Sequence, residues 1–170
     1  MDTIGGIPAH PLLVHIPVVL IPLAVVGVLL CLWPRFRGAL FIPTVVITVI
    51  GAFGAAFAAN SGDSLEERVP ESPALHDHKD LGEMARNFAL LMMLLVIAAF
   101  VVWLLSRREG SAAVLPKVVT GLLALSLVVG CVATWYVVDA GHAGAKITWN
   151  RALKNAPPAG SGGEGGEGGG

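Results

Sequence analysis

Long apolar runs, separated by short polar stretches, set the pattern of this chain. Four of the runs contain no Asp, Glu, Lys or Arg: Leu12–Trp33, Leu40–Ala59, Phe88–Leu105 and Val118–Val138. Each is close to the roughly 20 residues needed to cross the hydrocarbon of a bilayer. In lipid no water is present to satisfy backbone N–H and C=O groups, so such segments must be helical. The pattern predicts an all-α fold, an integral membrane four-helix bundle formed by residues 1–155. Pro11 suits a helix start. Pro22 falls inside the first span, where it removes a backbone hydrogen bond and predicts a kink.

The polar stretches predict how the spans run. Arg35-Phe36-Arg37-Gly38 joins spans one and two, and Ser106-Arg107-Arg108-Glu109-Gly110 leads toward span four, with Lys117 beyond it. The stretch from Asn60 to Asn87 is longer and acidic, with seven carboxylates against Arg68, Lys79 and Arg86. Lys and Arg near span ends favour the cytoplasm. Both termini and the acidic stretch are therefore expected outside, although Lys146, Arg151 and Lys154 after span four pull the other way. Within the acidic stretch, Ser64-Leu65-Glu66-Glu67 has capping-box spacing and predicts a short helix starting there. Ser72-Pro73 is a second start signal, from which helix is expected to continue into span three.

Small residues recur every fourth position, at Gly51, Ala55 and Ala59, at Ala52 and Ala56, and at Gly130 and Thr134. That spacing allows membrane helices to approach closely. After Pro157-Pro158 the chain turns to glycine and glutamate, and 156–170 is expected to be a flexible tail without function.

Composition agrees with a membrane protein. The 170 residues are 55% hydrophobic and 14% charged, where about 25% charged is usual for a soluble domain. The mean hydropathy is +0.75. A net charge of −1 gives no basic face for nucleic acid. The N-terminus lacks the basic start of a signal peptide, and its apolar run is longer than a signal core. Cys31 and Cys131 are expected at different heights in the bilayer, too far apart for a disulfide, and both are read as small buried apolar residues.

The chemistry-bearing residues are five histidines, His10, His15, His76, His78 and His142, all at outer span ends. His10 and His15 would be about 140° apart on one helix, and His10 precedes a proline that favours extended backbone. His10 is therefore expected just before the first helix, and His15 in its first turns. The face of His78 continues through Gly82, Ala85, Ala89, Met92, Val96 and Ala99, small or apolar throughout. The face of His76 continues through Lys79, Asp80 and Glu83. His78 is expected to point into the bundle and His76 out. Asp139 lies one turn before His142, where it would orient the imidazole as carboxylates do for ligating histidines. Neutral imidazole binds haem iron, copper or zinc, and inward histidines of a bundle are a common way to hold them. The sequence contains no Cys-x-x-Cys pair, His-Glu-x-x-His, phosphate-binding glycine loop or nucleophile elbow, so no catalytic residue is assigned.

His10-Pro11-Leu12-Leu13-Val14-His15-Ile16-Pro17 resembles the opening signature of a family of bacterial four-helix membrane proteins catalogued as a domain of unknown function. His78-Lys79-Asp80-Leu81-Gly82-Glu83 resembles that family's third-helix histidine segment. Gly141-His142-Ala143-Gly144-Ala145-Lys146 resembles its closing segment, with Ala145 where a second glycine is usual. The resemblance covers about residues 8 to 150. It implies a bacterial cytoplasmic membrane, and it picks out His10, His15, His78 and His142 but not His76. The histidines are also similar, at the level of architecture, to those of small membrane cytochromes of b type.

The expected function is a haem b or transition-metal (copper or zinc) site near the outer face. His10, His15, His78 and His142 are its cofactor residues, with His15, His78 and His142 as metal ligands and Asp139 behind them. Its role would be electron transfer with other membrane redox proteins. The alternative is a non-catalytic accessory or structural membrane subunit whose histidines only make hydrogen bonds.

Overall fold

The computed structural model describes residues 3–4, 7–8, 13–66, 72–108 and 113–154. Thr3–Ile4 (β1) and Ile7–Pro8 (β2) form a minimal antiparallel pair. Four helices follow among the described residues: α1 (His15–Cys31), α2 (Pro34–Glu66), α3 (Pro73–Ser106) and α4 (Leu115–Lys154). Three of them are long and apolar enough to cross a membrane; α1, of 17 residues, is a shorter apolar helix. At 1.5 Å per residue α1 is about 26 Å long, a few ångströms short of the hydrocarbon thickness. The expected start of the first span at Pro11 and Leu12, His10, and the tail 156–170 lie outside the described residues.

The helices pack as an antiparallel ring in which each touches its sequence neighbours and α4 closes against α1. Glycines set the approach of α1 to α2. A Cβ on Gly54 would collide with the Ile16 side chain, one on Gly27 would sit 2.6 Å from Thr44 Oγ1, and one on Gly51 would sit 3.2 Å from Leu20 Cβ. Gly130 of α4 does the same for two helices at once, lying against Val25 of α1 and Met92 of α3. The inward stripe of α3 is the one expected, with Ala85, Ala89, Met92, Val96 and Ala99 all buried.

Apolar residues cover the outside as fully as the inside. Val19, Ile42, Leu94, Val128 and Trp135 are all exposed. A bundle in water would place polar residues there; one dissolved in lipid need not. Hydroxyls inside the bundle bond back to their own helix, as Thr44 does to Leu40 O, Thr48 to Thr44 O and Ser126 to Leu123 O. Among the described residues no buried side-chain nitrogen or oxygen lacks a partner.

Two expectations need correction. Ser64, Leu65 and Glu66 end α2 and do not begin a new helix. A helix already formed adds residues without a new nucleation cost, so propagation wins over the cap. Cys131 is exposed, whereas Cys31 is buried 3.8 Å from Thr44 Oγ1. An apolar thiol suits a lipid-facing position as well as a core one, so burial was not implied by its chemistry. Both cysteines are free, as expected. The Ser72-Pro73 start holds: the Ser72 hydroxyl accepts from Leu75 N, and α3 runs unbroken to Ser106.

The end of the bundle carrying the short connections is organised by Arg37. This residue is only 5% exposed. Its Nε donates to Cys31 O at 2.8 Å, and its Nη2 donates to Leu32 O at 3.3 Å and to Thr120 Oγ1 at 2.9 Å. It thus satisfies carbonyls left open at the α1 C-terminus and ties that turn to α4.

Candidate functional site

His78, His15 and His142 sit at the opposite end of the bundle from Arg37. Gly130 gives a common level with Val25 and Met92. Counted from it at 1.5 Å per residue, His15, His142 and His78 lie about 15, 18 and 21 Å toward the same end. Three different helices therefore carry histidines to similar heights.

Their environments differ. His78 is half-buried on the inward stripe of α3, and His76 is exposed on the opposite side. His78 Nδ1 lies 2.9 Å from Ala140 O of α4. A carbonyl only accepts, so Nδ1 carries the hydrogen, and in the neutral ring Nε2 is then the basic nitrogen. This is the tautomer of histidines that ligate through Nε2 while a carbonyl orients the ring. The ring also packs on Gly144, where a Cβ would lie 3.1 Å from His78 Cε1. Gly144 therefore permits the approach of the imidazole, whereas a Cβ on Gly141 would meet open space. One turn below His78, on the same face, a Cβ on Gly82 would also meet nothing within 4 Å. Deeper between the same two helices, the Phe88 and Tyr136 rings stack at 5.5 Å.

His15 and His142 are exposed. α4 does persist through Asp139 and His142, as the sequence suggested, but both side chains are exposed and no hydrogen bond joins them. Among the described residues no group of three or more His, Cys, Asp or Glu is placed to hold a metal ion. His78 is thus brought to the α4 backbone beside His142, while the side chains of His15 and His142 are exposed at similar heights. Ala140 is a residue the sequence did not single out; its role is carried by its carbonyl, which every residue type offers.

A family model matches residues 6–157. The chain belongs to the family described as predicted membrane proteins, DUF2231. The protein is accordingly a multi-pass integral membrane protein of a family without an assigned activity. No curated protein and no solved structure matches it.

Proposed function

We propose that the histidine end of this DUF2231 protein holds haem, with His78 as one axial ligand and His10, His15 or His142 as the other. The observation that carries the reading is the Nδ1–H bond of His78 to Ala140 O. It orients the ring in the tautomer whose basic nitrogen is Nε2, as in histidines that ligate through Nε2. Haem is preferred to bare copper or zinc because it needs one or two axial nitrogens, where a structural ion asks for about four ligands. When bound, haem would supply a one-electron iron couple, and the role would be electron transfer with other membrane redox proteins. Because basic loops favour the cytoplasm, this reading puts the histidine end on the outer side.

A second reading rests on the same bond. The His78–Ala140 contact fastens α3 to α4, and the exposure of His15 and His142 favours a non-catalytic accessory subunit. The absorption spectrum separates the two. The full chain, expressed with iron and haem precursor and purified in mild detergent, should show a Soret band and a sharpened α-band on dithionite reduction. Both should be lost in His78→Ala. A colourless protein, with no stoichiometric metal, would leave the accessory-subunit reading.

A further inference from the structure

At the opposite end, the N-terminal turns of α2 and α4 flank a shallow, open cleft lined by the buried Arg37 and by the exposed Lys117, Pro34, Pro116 and Thr120. The small, exposed α4 residues Gly121 and Ala124 complete its lining. Among the described residues no carboxylate lines it. Arg37 spends Nε and Nη2 on Cys31 O, Leu32 O and Thr120 Oγ1. Its Nη1 has no hydrogen-bond partner among the described residues. Nor is Nη1 sealed away, because no buried side-chain nitrogen there lacks a partner. An arginine buried as a whole residue therefore keeps one guanidinium nitrogen open, beside the cleft it lines. Buried cations call for a counter-charge, and the positive ends of two helix dipoles add to the same field.

We propose that this cleft binds a phosphate-bearing anion, with Arg37 and Lys117 as its cationic contacts. Arg37 suits phosphate because its planar fork is fixed by the bonds it already makes. The surroundings mark the depth of lipid headgroups. Arg35 lies over the Phe36 ring and Arg107 over the Trp103 ring, each at 5.0 Å to the centroid. Such aromatic and basic pairs collect at the membrane interface. Basic pockets between membrane helices take anionic headgroups there. The same chemistry would serve a free phosphate from the aqueous side.

The test uses the full chain in dodecyl maltoside, followed by thermal unfolding. One arm adds dioleoyl-phosphatidylglycerol against dioleoyl-phosphatidylcholine. The other adds inorganic phosphate against sodium chloride at equal ionic strength. A ligand that binds only the folded state raises the midpoint with concentration. Lys117→Ala removes a cation, and Gly121→Leu adds bulk to the cleft lining at a position where a Cβ meets nothing within 4 Å, so the fold is undisturbed. Each should weaken the apparent affinity at least tenfold, while Arg35→Ala, outside the cleft, should leave it unchanged. Stabilisation by phosphatidylglycerol alone identifies a lipid headgroup; stabilisation by phosphate as well identifies a free anion. No selective stabilisation in either arm, or stabilisation that survives both cleft variants, would overturn the proposal. So would an equal loss in Arg35→Ala, which would mark diffuse surface charge.

Discussion

His78 reaches from α3 to α4 and donates its Nδ1 hydrogen to the carbonyl of Ala140, 2.9 Å away. Ala140 lies in a helix, so this carbonyl already serves the α4 ladder and takes His78 as a second donor. Such side-chain bonds between membrane helices contribute about 1 kcal/mol or less. His78→Ala should therefore lower the stability of the cofactor-free protein by about that amount, read as a lower unfolding midpoint in detergent. His76→Ala, on the exposed side, should leave the midpoint where it is. Equal effects from both would show that the contact to Ala140 contributes nothing.

Glycines at different positions should respond in opposite directions. At Gly54 a Cβ collides with Ile16, whose branched side chain has little freedom to move, and it would also lie 3.4 Å from Pro17 Cδ. Gly54→Ala should separate α1 from α2 and cost about 1–3 kcal/mol. At Gly38 a Cβ meets nothing within 4 Å. Gly38→Ala should be neutral or stabilising by about 0.5–1 kcal/mol through helix propensity. Thermal or denaturant unfolding of the two variants side by side checks this, and a destabilised Gly38→Ala would contradict it.

The contrast between these glycines bears on what can be read from sequence. The inward stripe of α3 was legible from Ala85 to Ala99 because helical period and residue size point the same way there. The spacing of Gly51 and Gly130 announced close helix contacts, yet it passed over Gly54, where α1 comes closest. Which glycine meets a neighbour depends on the rotation of both helices, and local pattern does not contain that. Arg37 was less legible still. Beside Arg35 it reads as one more basic loop residue, and only the folded turn places the carbonyls of Cys31 and Leu32 within its reach. At the histidine end, His78 and its face were legible for the same reason as the stripe below it. The peripheral positions of the His15 and His142 side chains were not, since an apolar exterior hides the boundary between inside and outside.

Arg37 gives the sharpest test of the fold. Removing its guanidinium leaves Cys31 O and Leu32 O without their side-chain donor at a buried turn and cuts the tie to Thr120. Leaving a buried acceptor without its donor costs about 1–3 kcal/mol. Arg37→Ala should approach that range. Arg35→Ala should cost no more than about 1 kcal/mol, the scale of an exposed cation–π contact. Arg37→Lys should remain well below wild type, because an ammonium cannot copy the fork that serves three acceptors. The comparison of the three midpoints decides it.

The charges of the bundle predict its orientation, which labelling tests. The connections near Arg35, Arg37, Arg107 and Lys117 lie at one end, and the segment carrying Asp77, Asp80 and Glu83 lies at the other. Lys and Arg beside short loops favour the cytoplasm, which predicts the acidic, histidine-bearing end outside. Asp77 and Arg108 are both exposed, one at each end, so neither substitution disturbs the core. In a background lacking Cys31 and Cys131, Asp77→Cys should react with a membrane-impermeant maleimide added to intact cells. Arg108→Cys should react only after the cells are opened. The reverse pattern would invert the bundle and put the histidines on the cytoplasmic side. It would also show that Lys146, Arg151 and Lys154, beyond the fourth span, outweigh the two short loops.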